Sequence, residues 1–173
     1  MSQALLICDM LNDFVMEGAP LEVPEARKII PAIKREIDRA RSEGDRIIYI
    51  VGAHEPEDKE FAKFGWPPHG ISGTPGAQVI EELKPEPGDI TIGKPTFSSF
   101  HKTSLDETLK ELGIKSIRLT GCVTHIGIFF TAYEGVLLDY AVSVVSDAVA
   151  GLARQDHDAA LRIMKNILGV NIL

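Results

Sequence analysis

The sequence predicts an α/β fold in which helices cover both faces of a doubly wound, mainly parallel sheet of six strands. Apolar runs alternate with amphipathic segments along the chain, as a parallel sheet with crossover helices requires. No internal repeat interrupts this alternation. The 173 residues, 45% of them hydrophobic, can bury a sizeable core. We therefore expect one three-layer α/β/α domain over residues 1–173.

The hydrophobic pattern places the elements of this fold in order. The predicted strands cover residues 4–8, 46–51, 89–92, 116–120, 141–145 and 170–173. The predicted helices cover residues 24–41, 76–83, 104–112, 125–138 and 155–168. Residues 52–75 are rich in glycine and proline, and a loop of that length is typically functional. Ligands of such sheets lie at the carboxyl ends of the strands, so we sought chemistry in the residues that follow each strand.

Composition narrows the class of partner. The formal net charge is -7, without a long run of like charge, which argues against nucleic acid or an anionic membrane and favours a small-molecule substrate. The first residues lack the pattern of a signal peptide, and no segment has the roughly 20 apolar residues of a membrane span. The two cysteines, Cys8 and Cys122, both lie in apolar runs. This usage suits reduced thiols, and we expect a cytoplasmic protein.

Asp9 and Lys94 each directly follow a predicted strand. A partly desolvated carboxylate at Asp9 suits proton transfer, although a side-chain cap of the following turn explains the residue equally well. Lys94 can pair with a buried carboxylate or bind developing negative charge, whereas the alternative is a solvated surface lysine. The apolar Phe97 and Phe100 nearby make a fully exposed segment less favourable for Lys94.

His54 and His69 both lie in the long loop. Two imidazoles can ligate zinc, but a zinc site needs at least a third protein ligand. Glu57 and Asp58 are the nearby carboxylates. The alternative, which we favour, is a pair of hydrogen-bonded loop histidines.

The segment Thr120-Gly121-Cys122-Val123-Thr124-His125-Ile126-Gly127-Ile128 ends a predicted strand and begins a predicted helix. Backbone N–H groups at such a helix start favour an anion or an oxyanion, and Gly127 lets a ligand approach the backbone closely. The alternative is a packing glycine in a buried helix. Cys122 lies within the apolar run, which favours a buried thiol over a nucleophile.

Taken together, these segments resemble the isochorismatase and nicotinamidase superfamily over residues 4–172. Asp9, in Asp9-Met10-Leu11-Asn12-Asp13-Phe14, matches the catalytic aspartate of that superfamily, and Lys94 matches its lysine. His54 and Trp66-Pro67-Pro68-His69 resemble the metal loop of nicotinamidases. The turn at 121–127 matches the one that delivers the catalytic cysteine in amidases. The resemblance implies that Phe14, Thr124, His125 and Gly127 contact the substrate, and that Val123–Thr124 is a cis peptide bond.

The chain departs from the amidase pattern at two positions. Gly127 stands where amidases have the nucleophilic cysteine, and glycine cannot form an acyl-enzyme. Gly52 stands where nicotinamidases have an aspartate ligand to the metal. Some isochorismatases carry a turn that resembles His125-Ile126-Gly127-Ile128, and by that resemblance they hydrolyse a vinyl ether by acid catalysis without nucleophile or metal.

Two functional hypotheses follow. The first is an isochorismatase-like hydrolase of a small metabolite in which Asp9 performs acid/base catalysis, Lys94 tunes it and no cofactor is required. The second is an amidase scaffold that lost its nucleophile at Gly127 and acts as a binding protein or is inactive. Zinc at His54 and His69 remains an option in either case. The resemblance also implies a homo-oligomer.

Overall fold

The structure is a computed structural model, and it describes residues 3–173. Its strands are β1 Gln3–Cys8, β2 Arg46–Gly52, β3 Ile90–Lys94, β4 Ser116–Cys122, β5 Ala141–Ala150 and β6 Asn171–Ile172. Its helices are α1 Asn12–Val15, α2 Ala26–Glu43, α3 Lys59–Phe64, α4 Leu105–Glu111, α5 Phe129–Leu137 and α6 Arg154–Asn166. Within residues 3–173, no helix is both long and apolar enough to cross a membrane.

The six strands form one sheet in the order β3-β2-β1-β4-β5-β6, and every neighbouring pair is parallel. The predicted doubly wound α/β fold is confirmed, and the sheet is parallel throughout. The chain begins in the middle of this sheet and builds outward first on one side and then on the other. The strand order therefore reverses between β1 and β4, which is where such sheets bind ligands.

Alternation along β1 explains the layers on the two faces. Leu5 and Ile7 pack into the apolar cluster that includes α2, whereas Leu6 and Cys8 pack into the cluster of α4, α5 and α6. These side chains are essentially unexposed, so β1 is apolar on both sides. A parallel strand covered by helices on both faces has this continuous apolar sequence rather than an alternating one.

The structure differs from the prediction at residues 76–83 and at the end of β5. The helix predicted over residues 76–83 is instead two short 3₁₀ turns, Pro75–Ala77 and Glu81–Leu83. The backbone between them is extended, because Asn12 N–H donates to Gln78 O and Ile80 N–H donates to Met10 O. The strand predicted over residues 141–145 continues as β5 to Ala150, because β5 bulges after Val144 and pairs with β4 again at Val149 and Ala150. A hydrophobic pattern does not reveal such partners.

Gly121 lets the end of β4 lie directly against β1. Its φ of +104° is rarely adopted by residues with a side chain, and a Cβ there would lie 2.0 Å from the Cys8 carbonyl oxygen. A residue with a Cβ would push the strands apart at the switch point. Gly121 thereby brings the turn after β4 close to the residue that follows β1.

Arg118 lies at the opposite end of the sheet and is 1% exposed. Its guanidinium nitrogens lie 2.8 Å from a Glu36 carboxylate oxygen and 3.6 Å from one of Asp45, and one of them donates to the Gln3 side chain. This buried charge network links β4, in the centre of the sheet, to α2 and to the loop that follows it.

Replacing Arg118 with alanine is expected to lower the free energy of unfolding by about 3 kcal/mol, because Glu36 and Asp45 lose their counter-charge. Urea unfolding followed by circular dichroism measures this change. Arg35→Ala is the matched control, since Arg35 pairs with Asp147 where both side chains are 63% exposed. The control should change stability by less than about 1 kcal/mol. Equal effects of the two substitutions would contradict a structural role for the Arg118 network.

Candidate active site

Asp9 is the first residue after β1 and is 3% exposed. Its φ of +50° lies in the left-handed region that residues with side chains seldom adopt. The conformation is held in part by the backbone, because Asp9 N–H donates to Ile50 O at 2.9 Å. Backbone strain of this kind clusters at functional positions, where the surrounding structure enforces it.

Lys94 is the last residue of β3 and reaches the same carboxylate. Its Nζ lies 2.8 Å from Asp9 Oδ2 and also donates to Thr96 O at 2.9 Å. Lys94 is 6% exposed, so the sequence alternative of a solvated lysine is wrong. Gly52 of β2 pairs with Lys94 in the sheet, so the ion pair connects the two strands on either side of β2.

The Asp9–Lys94 pair lies at the wall of a cavity at the carboxyl end of the sheet. The volume of the cavity is about 30 Å³, enough for one or a few water molecules. The residues that line it come from strand ends, the long loop and the turn after β4. They are Asp9, Phe14, Leu21, Gly52, His54, Glu60, Trp66, His69, Lys94, Thr96, Phe97, Val123, Ile126 and Gly127.

The long loop after β2 is folded onto the cavity by backbone pairing. His54 N–H donates to Gly70 O at 3.0 Å, and Gly70 N–H donates to the Asp13 carboxylate at 2.9 Å. The predicted loop also contains the short helix α3, whose first turn is capped by the Asp58 side chain accepting from Glu60 N–H. The first contact joins the two ends of the loop and the second attaches it to α1, and both histidines line the cavity.

His54 and His69 lie side by side, with ring centroids 5.2 Å apart. His54 Nδ1 is 3.0 Å from Asp58 Oδ2, and His69 Nδ1 is 2.8 Å from Pro67 O. Burial lowers the pKa of His69, which keeps its imidazole neutral near pH 7. The Glu60 N–H and His54 together hold the pKa of Asp58 below its usual range, so Asp58 is ionised.

The turn after β4 presents Val123, Ile126 and Gly127 to the cavity. A Cβ at Gly127 would lie 3.4 Å from Asp9 Oδ2, an ordinary contact distance, so space is left beside the carboxylate. The cis peptide bond of this turn joins Cys122 and Val123, one residue earlier than the resemblance implied. Residues 124–128 then form a single π-helical turn before α5 begins.

Thr124 and His125 do not line the cavity, although substrate contact was predicted for both. Thr124 is fully buried, and its hydroxyl lies 2.9 Å from His157 Nδ1 on α6. His125 lines a separate groove between α5 and α6. The wide π-helical turn directs these two side chains away from Asp9, and the predicted helix of residues 125–138 did not anticipate that geometry.

Cys8 and Cys122 are both fully buried. Burial raises the pKa of Cys8 to about 12, and burial raises the pKa of the Cys122 thiol well above its usual range. Cys122 Sγ donates to the Asp9 carbonyl oxygen at 3.1 Å, so the thiol is directed at the backbone and not at the cavity. Neither thiol is therefore suited to act as a nucleophile at neutral pH.

Sequence reasoning missed several residues of the cavity wall. Glu60 stands in the charged run Asp58-Lys59-Glu60, which looks like a solvated surface, and Trp66 was noted only as part of a motif. Thr96 and Ile126 carry no chemical pattern at all. The one local signal that could have indicated Glu60 is the spacing of Asp58 and Glu60, which is typical of a helix cap in the loop of the histidines.

The chain matches a known protein family over nearly its whole length. A model of the isochorismatase domain family matches residues 3–172. The chain belongs to the isochorismatase family. Its members and neighbours include isochorismatases, nicotinamidases and amidohydrolases. The superfamily expected from Asp9, Lys94, the loop histidines and the turn is confirmed.

Three relatives define the chemical range around this isochorismatase-family chain. A probable inactive nicotinamidase of Arabidopsis thaliana is 34% identical over 173 residues, which cover 95% of this chain and 88% of the relative. The isochorismatase of Bacillus subtilis is 32% identical over 161 residues, which cover 91% of this chain and 51% of that protein. The structure of a Pyrococcus horikoshii pyrazinamidase in complex with zinc covers 100% of this chain and 99% of its own, with 29% identity and a TM-score of 0.93.

The donor set of this chain does not complete a zinc site like those that proteins normally use. His54 and His69 have Nδ1 engaged by Asp58 and Pro67, which leaves Nε2 of each ring as a possible ligand atom, but Gly52 offers no side-chain ligand. Within residues 3–173, no group of three or more His, Cys, Asp or Glu side chains is placed to hold a metal ion. Zinc in proteins takes at least three protein ligands, so the two histidines predicted as metal ligands do not suffice.

Wild-type protein is expected to hold well below one zinc per chain after gel filtration, and Gly52→Asp is expected to raise zinc toward about one per chain. A Cβ at Gly52 would lie 3.8 Å from Asp9 Oδ1 without a clash, so the new carboxylate fits beside the histidines. Zinc is measured by plasma mass spectrometry. Gly52→Ala, which adds the Cβ but no ligand atom, is the control. One tightly held zinc in the wild type would contradict this account of the site.

Proposed function

We propose that this chain is a hydrolase of a small metabolite in which the Asp9–Lys94 pair transfers protons, with no covalent nucleophile and no metal. The family membership supports hydrolysis of a small molecule as the general reaction. The assignment of proton transfer to the Asp9–Lys94 pair rests on the arrangement of the groups around Asp9. The bond we expect it to cleave is an enol ether or a similarly acid-labile bond.

The observation that carries the proposal is the state of the two oxygens of Asp9. Oδ2 accepts from Lys94 at 2.8 Å, whereas Oδ1 is buried without a hydrogen-bond partner. A buried acceptor with no partner is unfavourable by about 1–3 kcal/mol and needs an explanation. We propose that a bound substrate or water supplies the missing partner after a small local movement, because Oδ1 itself is almost inaccessible in the free protein. Oδ1 is therefore the atom that we assign to proton transfer.

The proposed reaction needs only a proton and a water molecule. Asp9 first takes up a proton from solvent and then gives it to the terminal carbon of the enol ether, which leaves a positively charged carbon next to oxygen. Water adds to that carbon, and the resulting hemiketal breaks into a carbonyl compound and an alcohol. The proton released by the water returns to Asp9. Lys94 balances the carboxylate charge that remains after each proton transfer.

A second candidate function is supported by the two glycines of the cavity wall. Gly127 occupies the position of the amidase cysteine, and Gly52 occupies the position of a metal ligand, as the resemblance implies. The similarity to a relative described as a probable inactive nicotinamidase points the same way. In this alternative the chain is an amidase scaffold that binds its ligand without cleaving it.

Asp9→Asn is expected to lower kcat/KM by about 10²–10⁴-fold on the best substrate from a panel of small enol ethers, because the amide cannot exchange a proton. Carbonyl product is measured by a coupled dehydrogenase assay. Asp147→Asn is the matched control, since Asp147 is exposed and does not line the cavity. The proposal would be abandoned if the wild type cleaved no member of the panel, or if Asp9→Asn cleaved it at the wild-type rate.

Gly127→Cys separates the two functions. If the chain is an amidase scaffold, the variant should gain hydrolysis of nicotinamide that the wild type lacks, since its Cβ fits 3.4 Å from Asp9 Oδ2. If the enol ether reaction is correct, the same substitution should instead slow that reaction by filling the space beside Asp9. Ammonia and carbonyl release are measured in parallel. Gly127→Ala, which adds volume without a thiol, controls for the filling effect.

A further inference from the structure

The charged side chains of the cavity wall include one more negative charge than positive charges. The Lys94 ammonium is paired with Asp9, and any positive charge on His54 is matched by Asp58 at 3.0 Å. Burial keeps His69 neutral near pH 7 through its lowered pKa. In the resting state, in which Asp9 is ionised, every cationic group of the cavity wall is therefore matched by a carboxylate, and none is left to receive a negatively charged ligand.

Glu60 is the remaining charged residue of the cavity wall. Its carboxylate accepts a hydrogen bond from the Thr96 hydroxyl, which is neutral. The neighbouring Lys59 and Lys63 on α3 are exposed and do not line the cavity. Lys63 Nζ instead lies 5.1 Å from the centre of the Phe64 ring. Glu60 thus contributes one negative charge that no ion pair compensates.

Aromatic rings form the rest of this side of the cavity. Trp66 and Phe97 line it, with ring centroids 5.5 Å apart, and Phe64 packs against both at 5.6 and 5.2 Å. Phe14 also lines the cavity and packs against His69, with ring centroids 5.3 Å apart. The faces of aromatic rings attract cations, most strongly in Trp. A carboxylate among such rings makes an environment for positive charge and repels a carboxylate ligand.

We propose that this cavity takes a substrate with no negative charge and stabilises the positive charge that the substrate acquires when Asp9 protonates it. Glu60 is the counter-charge, and the rings of Trp66 and Phe97 complete the surroundings of the charged carbon. This inference rests on the proposed function, because it takes the cavity as the substrate site. It adds the substrate class: small uncharged compounds, with carboxylates excluded.

Stabilisation of this kind acts on the transition state more than on the substrate. An uncharged substrate gains little from Glu60 on binding, whereas the cationic carbon gains a charge–charge attraction inside a cavity with little water. A permanently cationic ligand of the same shape therefore mimics the charge of the reacting state. Such a ligand should bind more tightly than its neutral isostere, and its anionic isostere should bind most weakly.

Ligands of one shape and three charges test this order directly. Acetate, acetamide and acetamidinium form a small set. Benzoate, benzamide and benzamidinium form a larger set, which needs the partly exposed rings of Trp66 and Phe97 to move. Trp66 is the single tryptophan of the chain, so its fluorescence reports on the cavity. Dissociation constants are measured at constant ionic strength and pH 7. We expect amidinium to bind about tenfold more tightly than amide, and amide about tenfold more tightly than carboxylate.

Glu60→Gln isolates the charge that the proposal assigns. The glutamine keeps an acceptor for the Thr96 hydroxyl but removes the negative charge, so the preference for amidinium over amide should fall about tenfold, to near unity. Glu57→Gln is the matched control, because Glu57 is exposed on the same loop and does not line the cavity. The control removes the same charge from the protein and should leave the preference unchanged.

Three results would overturn the inference: equal or tighter binding of the carboxylates, an unchanged preference in Glu60→Gln, or no binding by any ligand of either set. These binding constants do not depend on turnover. Intact enol ether hydrolysis without a charge preference would reject this inference alone. An intact charge preference without hydrolysis by the wild type would reject the proposed function while leaving the cavity selective for positive charge.

Discussion

The buried ion pair between Asp9 and Lys94 is the interaction around which the carboxyl end of the sheet is organised. It connects the end of β1 to the end of β3 across Gly52 of β2, where both charged side chains are almost fully buried. Loss of either partner would leave an unpaired buried charge, which costs about 3–5 kcal/mol. The long loop and the turn after β4 close over this pair and form the remaining walls of the cavity.

Two glycines leave space next to the two oxygens of the same carboxylate. A Cβ at Gly52 would contact Oδ1 of Asp9, and a Cβ at Gly127 would contact Oδ2. In the amidase pattern that the chain resembles, these positions carry a metal ligand and a thiol. The missing metal ligand and the missing thiol would both lie beside Asp9. The two glycines therefore change the surroundings of a single carboxylate. The chemistry that we propose for the cavity is the transfer of protons by that carboxylate.

The charge of the cavity follows from the same arrangement. The positive groups that could hold an anion are already used to balance Asp9 and Asp58. Glu60 and the aromatic rings then give the cavity a negative character. An acid-catalysed reaction that passes through a cationic carbon suits these surroundings, whereas a reaction that develops an oxyanion would meet an unpaired carboxylate. The proposed substrate class and the proposed chemistry are thus two consequences of one distribution of charge.

The sequence by itself determined the alternation of strands and helices, and with it the positions of Asp9, Lys94, His54, His69 and Gly127 at the carboxyl ends of strands or in the loop beside them. Local periodicity encodes these features, because a parallel strand is recognisable from its own apolar residues. Only the tertiary structure decided that Thr124 and His125 face away from the cavity and that Glu60 and Trp66 face into it. The direction of a side chain in a turn or loop depends on contacts with distant segments, such as the Thr124–His157 hydrogen bond and the anchoring of Gly70 by Asp13. No pattern of neighbouring residues contains those contacts.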